Sequence, residues 1–534
     1  MSGSVRLRPW QHAALDRFIS NRQPDFLAVA TPGAGKTTYA LVAARMVLAE
    51  RPAPMVVVTP TAHLKTQWAH AAARLQLHLD PAWSAADGAL PTDMHGVVTT
   101  YQQVALNPAA IRRLAVGAFV ILDEVHHGGE DRAWGAALQE AFGVAARRLS
   151  LSGTPFRSDT RAIPFVRYHA DEAIPDFEYG YGDALRDGGV VRPIYFPAVG
   201  GVMEWTASDG VLHAASFEDP LRTALTNQRL RTALSLDGDW LPGVLSDAVY
   251  RLREVRRAQP NAGGLVIASD QEHARDIARL LSWEFRVPAA VVTSDDPTAS
   301  ERIASFASGD TEWLVAVRMV SEGVDIPRLR VGVYATATTT DLFFRQAVGR
   351  FVRWESGVRN QRAWLYVPDD PRVRAWAALI TKQRRHSLWR DVSRHSGVSN
   401  GRATSLADDE LAQLSLFAPL SAVATETVSM SPWLEPLPDE WSDVDSAIEV
   451  KLAPLPDVAA PIASANGRTR RQTKDALRVA NAAAARDLVR RTGLSHVQVN
   501  AELNRQVGLR RITEATVAQL ETRLEQAERW LARA

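Results

Sequence analysis

Ala30-Thr31-Pro32-Gly33-Ala34-Gly35-Lys36-Thr37 gathers two glycines, a lysine and a hydroxyl into one short stretch, a combination that can cradle a polyphosphate. It fits the spacing G-x-x-x-x-G-K-[ST], with Ala30 standing where the first glycine is usual. Gly33 and Gly35 let the backbone turn its N–H groups towards phosphate oxygens, and a helix starting there adds its positive end. Lys36 is placed to reach the β- and γ-phosphates of ATP, and Thr37 to offer its hydroxyl to Mg²⁺. Thr31, Ala34 and Thr38 complete the candidate cofactor-binding contacts. "DFLAVA" before the loop and "YALVAARMVLA" after it supply the strand and helix that such a loop must join.

A phosphate loop needs acid opposite it, and "VILDEVHHGG" at 120–129 provides Asp123 and Glu124 at the end of an apolar run. An uninterrupted apolar run marks a buried parallel strand, and residues just past its carboxyl end lie where open α/β sheets bind ligands. Asp123 is the candidate Mg²⁺ holder through water, and Glu124 the candidate general base for a water attacking the γ-phosphate. His126 and His127 raise the alternative of a zinc site. No H-E-x-x-H arrangement accompanies them, so His126 is read as a polar contact to the nucleotide site or to a coupling segment.

With these residues in hand, "DEVH" resembles the DEAD/DEAH-type box of superfamily 2 helicases and translocases, and other stretches resemble that family's elements in order. Gln11, 25 residues before Lys36, resembles the glutamine that reads the adenine edge. "VVVTPTAHLKTQW" (56–68) and "GVVTTYQQV" (96–104) resemble the segments that grip nucleic-acid backbone, with Thr59, Thr61, Thr99 and Thr100 as contacts. "LSLSGTPFRSD" (149–159) is similar to the element linking hydrolysis to movement, which assigns coupling roles to Ser152 and Thr154. Its "TPFR" form resembles the DNA-directed branches, including those related to type III restriction motor subunits.

In the second half, Gly323 and Asp325 of "SEGVDIP" resemble residues that approach the ribose and γ-phosphate, with Arg318 and Ser269 as nucleic-acid contacts. "LFFRQAVGRFVR" matches Q-x-x-G-R-x-x-R. Gln346, Arg350 and Arg353, at i, i+4 and i+7, would share a helix face turned to the first half. Guanidiniums delivered across a cleft stabilise a loose phosphoryl-transfer transition state. The resemblance thus implies two tandem RecA-like parallel-sheet lobes of α/β class closing on one ATP.

A chain of 534 residues leaves room for about three or four domains. Hydrophobic residues are 46% and charged residues 23%, the composition of an ordinary globular protein. The absence of cysteine excludes disulfides, thiolate zinc sites and iron–sulfur clusters. No apolar stretch spans a bilayer and the first residues carry no signal segment, so a cytoplasmic location is expected. A net charge of +1 means that a nucleic acid, DNA rather than RNA on the "TPFR" resemblance, must be met by local basic patches.

The expected organisation is a first lobe over 1–195, an inter-lobe connection or insertion over 196–245 and a second lobe over 246–400. A Pro/Ala/acid-rich linker at 401–466 docks in part, and a helical module follows at 467–534. In the linker, Pro438-Asp439 with Glu449-Val450-Lys451 fits the loose pattern of a metal-dependent nuclease, a spacing short enough to arise by chance. The module carries 14 Lys/Arg against 7 Asp/Glu over 468–534, and helical periodicity broken at Gly493 and Gly508 points to about three helices, suited to DNA contact or partner docking. Two other readings share the same motifs: a motor subunit of a restriction or phage-defence nuclease complex, and a nucleotide-gated nucleic-acid-binding scaffold.

Overall fold

The first sheet is built from the apolar runs noted above. In the computed structural model its strands run Phe177–Tyr179, Asp25–Ala30, Arg147–Ser152, Phe119–Leu122, Met55–Thr59, Gly96–Thr100 and Leu79–Asp80, each parallel to its neighbour. Strands such as "VVV" and "FVIL" are buried on both faces, as a parallel sheet covered by helices requires. The structure describes residues 4–88, 90, 94–129, 132–153, 162–169, 172–207, 210–293, 295–296, 298–317, 326–389, 418–429, 447–455, 470–509, 512, 515 and 517–533.

A second sheet repeats the design. Trp313–Val317, Gly263–Ala268, Leu329–Ala335 and Ala363–Pro368 are parallel neighbours, with Ala289–Val292 at one edge. These are the two tandem RecA-like lobes that the resemblance implied. Their cores are continuous at the hinge, where one hydrophobic cluster includes Tyr179, Tyr181 and Val191 together with Phe344 and Phe351.

Residues 196–245, expected as an inter-lobe connection or insertion, carry strands of the second sheet. The strand Pro197–Thr206 lies parallel to Ala363–Pro368 and antiparallel to Leu212–Ser216, extending the sheet. Its alternation explains why: Met203 and Trp205 point inward while Val202 and Glu204 face out, the period-two pattern of a half-buried strand. Its other edge is covered by Ala418–Ser429 from the expected linker, paired antiparallel over its length.

The linker touches the first lobe as well. Ile448–Lys451 pairs antiparallel with the N-terminal strand Ser4–Leu7, opposing Glu449 to Arg6. The acid and lysine of the nuclease-like pattern therefore sit in a two-stranded ribbon, while Pro438 and Asp439 lie outside the described residues. Beyond it come helices Arg470–Thr492, His496–Gln506 and Val517–Leu531, turning at Gly493 and Gly508, both with positive φ. Arg523 holds this module together from its centre, donating to Asn481, Asn500 and Asn504 at 2.7–2.9 Å. The module meets the first lobe through an ion pair between Lys474 and Asp87.

Candidate active site

The strand Asp25–Ala30 ends in the phosphate loop, and the helix Lys36–Glu50 begins with its lysine. Gly33 and Gly35 have φ of +82° and +95°, backbone that residues with a Cβ rarely adopt. No side chain caps the first turn of that helix, whose leading N–H groups have no partner inside the helix. Such a cradle fits a polyphosphate. Thr37 and Thr38 are half-buried in this turn.

Three side chains from the helix Pro9–Ser20 and its cap brace the loop from behind. Arg8 Nη1 donates to the Ala34 carbonyl at 3.1 Å, Trp10 Nε1 to the same carbonyl at 3.1 Å, and Gln11 Nε2 to the Gly35 carbonyl at 2.9 Å. Gln11 Oε1 accepts from the Arg8 backbone at 2.8 Å, so both ends of its amide are engaged on protein. Tyr179 stacks on Trp10 at 5.0 Å and its carbonyl accepts from the Thr31 N–H.

Lys36 Nζ lies 3.1 Å from Glu124 Oε1 and 3.2 Å from the Ala30 carbonyl. The other oxygen of Glu124 accepts from the Gly153 N–H at 2.8 Å. Burial alone would raise the Glu124 carboxyl; Lys36, His126 and the Gly153 N–H outweigh it and hold the group at about 2. Its backbone φ is +49°, a left-handed conformation that a non-glycine residue keeps only where the surroundings enforce it.

Asp123 is 8% exposed, and its Oδ2 accepts from Trp68 Nε1 at 2.8 Å. His126 links the lobes. Its Nδ1 stands 3.3 Å from Ser152 Oγ and its Nε2 stands 3.0 Å from Gln346 Nε2 on the facing lobe. Among the described residues no group of three or more His, Cys, Asp or Glu could hold a metal ion.

The helix Asp341–Phe351 carries Gln346 and Arg350. It stops before Arg353, which expectation had placed on the same helix. Arg192 N–H bonds the Val352 carbonyl and Arg353 bridges to Val191. Those bonds hold the chain extended where the helix would have continued. From that position the Arg353 side chain reaches the loop: a Cβ placed on Gly33 would be 3.4 Å from Arg353 Cγ. The helix itself comes so close that a Cβ on Gly349 would stand 2.6 Å from Pro32 Cγ. A Gly349→Val chain should still bind nucleotide but turn it over about tenfold slower or worse, since small misplacements of catalytic groups carry such losses. Equilibrium nucleotide binding beside steady-state turnover measures this, and an unchanged rate would mean that the lobes need not meet here.

The first lobe, residues 4–157, matches the family model described as the type III restriction enzyme res subunit, and residues 247–355 match the helicase conserved C-terminal domain. An uncharacterized protein of Mycobacterium tuberculosis (strain CDC 1551) is 40% identical over 97% of this chain and 92% of its own length. The chain belongs to the superfamily 2 helicases. A second uncharacterized M. tuberculosis protein, from another strain, is 48% identical over 72% of this chain; the match spans 65% of that relative's length. A protein of Sulfurisphaera tokodaii named as a DNA 3′-5′ translocase is 23% identical over 65% of this chain and 79% of its own. The chain thus carries helicase-type domains, and such domains generally use ATP with Mg²⁺.

Of the remaining superfamily 2 positions, Thr61 is half-buried with a hydroxyl that bonds no protein group, and the others divide into two groups. Thr154, Arg318, Gly323 and Asp325 lie outside the described residues. Thr59, Thr99, Thr100 and Ser269 are present at strand ends, but their hydroxyls are already used. Thr59 Oγ1 donates to the Thr61 and Thr99 carbonyls, Thr99 Oγ1 to Gln103 Oε1, and Ser269 Oγ to the Ala335 carbonyl, while Thr100 Oγ1 caps the helix Tyr101–Leu106. Thr59 and Thr99 are 0% and 1% exposed. These threonines shape the loops from inside, leaving backbone groups and neighbours to meet a strand. The residues that sequence reading missed are Arg8, Trp10, Trp68 and Tyr101, all of which act on the loop or on Asp123 from other elements. A larger groove of about 1130 Å³ on the second lobe, bordered by Tyr250, Arg251, Arg359 and Trp364, takes in none of the site residues.

Proposed function

We propose that this protein is an ATP-dependent nucleic-acid motor, a helicase or translocase acting on DNA, that hydrolyses ATP to ADP and phosphate between its lobes. The observation that carries the proposal is the facing pair of contacts across the cleft: Arg353 against Gly33, and Gln346 against His126. The loop from Thr31 to Thr38 would hold the phosphates, with Lys36 on the β- and γ-oxygens. Thr37 and Asp123 would hold Mg²⁺, which when bound neutralises charge on those oxygens. Glu124 orients the attacking water and takes its proton, while Arg353 and Arg350 stabilise charge on the transferring group. His126, which contacts Ser152 through one ring nitrogen and Gln346 through the other, would report the state of the site to the second lobe.

Lys36 rests on Glu124, and phosphates that draw the ammonium towards themselves would loosen that pair and free the base. Nucleic acid would lie along the ends of the strands Met55–Thr59 and Gly96–Thr100 in the first lobe and Gly263–Ala268 in the second, held by phosphate contacts that tolerate any sequence and weaken with salt.

The preference for DNA rests on the "TPFR" element, which lies outside the described residues, and on the name of the archaeal relative. Among the described residues no helix is long and apolar enough to cross a membrane. A second reading, the motor subunit of a nuclease complex, draws on the restriction-enzyme family model. Steady-state ATPase with single-stranded, duplex and forked DNA and with RNA, the nucleic acids recovered afterwards and sized, tests both. Stimulation of about tenfold or more by DNA over RNA, with the DNA intact, is expected. Equal stimulation by RNA would overturn the substrate assignment, and shortened DNA would favour the nuclease reading.

A further inference from the structure

Two aromatic side chains converge on Asp123 from the segments expected to grip nucleic acid. Trp68 lies two turns into the helix Ala62–Arg74, which starts directly after Thr61, and is 2% exposed. Its indole Nε1–H donates to Asp123 Oδ2 at 2.8 Å. Tyr101 opens the helix Tyr101–Leu106 just past Thr100 and is 1% exposed. Its hydroxyl donates to the Asp123 carbonyl at 2.9 Å, and its ring stacks on Trp134 at 6.2 Å with the planes 4° apart.

The two segments are also tied to each other. Lys65, on the same helix as Trp68, donates to Gln103 Oε1 at 3.1 Å, and that oxygen accepts from Thr99 Oγ1 and from the Thr100 N–H. Thr59 Oγ1 adds a bond to the Thr99 carbonyl. A displacement of either segment is therefore shared with the other and delivered to Asp123.

We propose that Trp68 is a positioning residue for Asp123, and that its indole N–H aligns the metal-holding carboxylate according to how the two segments sit on nucleic acid. The inference rests on the reading of Asp123 as the Mg²⁺ holder. An indole N–H donates only; bonded to Oδ2, it fixes that oxygen and with it the plane of the carboxylate. Outer partners of this kind typically contribute 10- to 100-fold to metal affinity. Phenylalanine at 68 keeps a ring in the same pocket and deletes the donor.

The test titrates Mg²⁺ against binding of a fluorescent ATP analogue by the full-length chain, with and without single-stranded DNA. For Trp68→Phe the Mg²⁺ midpoint is expected to rise about tenfold, while affinity for the metal-free nucleotide, which depends on the loop and Lys36, stays at the wild-type value. The ability of DNA to lower that midpoint should be lost. A general loss of packing would weaken binding with and without metal alike, so the selective shift separates positioning from mere structure. Tyr101→Phe, which removes one hydroxyl and leaves the ring stack, should shift the midpoint in the same direction by a smaller factor, and serves if Trp68→Phe does not fold. Unchanged midpoints in the folded variants overturn the inference while leaving the ATP site intact. A wild-type chain whose nucleotide binding ignores Mg²⁺ overturns the assignment of Asp123 and this inference with it.

Discussion

Arg353→Ala is expected to lower nucleic-acid-stimulated turnover by about 10³- to 10⁵-fold while leaving the dissociation constant for ATP little changed. The expectation comes from where the side chain stands. The backbone of Arg353 is pinned by its bridge to Val191 and its stem lies on Gly33, so the side chain starts out beside the phosphate loop from an element belonging to the other lobe. A group held from across the cleft contributes most when charge develops on the transferring phosphoryl group and least when the nucleotide merely binds. Arg353→Lys should recover little, because an ammonium lacks the planar fork of donors. Rapid-quench turnover beside equilibrium binding separates the two effects. A rate within about tenfold of wild type would mean that the lobes do not complete one active site, and the motor reading would fail.

The parts of this site that the sequence made legible are those whose chemistry is local. Lys36 and Thr37 open a helix and Asp123 and Glu124 follow a strand, where a contiguous pattern of glycine, lysine and acid constrains their surroundings within a few residues. What escaped was long-range. Trp68 acts on Asp123 across 55 residues, and Arg8 on Ala34 across 26; an indole or guanidinium in a helix carries no sign of its partner. Gly349, part of the Q-x-x-G-R-x-x-R match, carries no sign in the sequence that Pro32 lies against it. The strand Pro197–Thr206 escaped for a related reason, since half of its pairing comes from Ala418–Ser429, a segment rich in small and polar residues that reads as a linker. Arg353 fell off the expected helix because spacing fixes a face only while the helix lasts, and bonds from Arg192 and Val191 end it first.

Glu124→Gln should reduce turnover by about 10²- to 10⁴-fold, the usual contribution of a general base, yet bind ATP at least as tightly as the wild type. Tighter binding follows from the ion pair: a neutral amide no longer competes with the phosphates for Lys36. The same pair predicts two different pH profiles for the wild-type chain. With Lys36 beside it Glu124 is held well below the usual carboxylate range, so any acid limb that this group gives kcat/KM, which reports the free enzyme, should lie at low pH. Once Lys36 moves to the phosphates, the strongest lowering influence is withdrawn while burial, which favours the protonated form, remains. The carboxyl then rises towards its ordinary range, and kcat, which reports the bound complex, should fall on acidification at a higher pH than kcat/KM does. That rise also makes Glu124 a better proton acceptor only after substrate has entered. The base is weak in the resting protein and is strengthened by the ligand it acts on. Coincident acid limbs in the two profiles, or an acid limb in kcat that persists in Glu124→Gln, would show that the proton goes elsewhere.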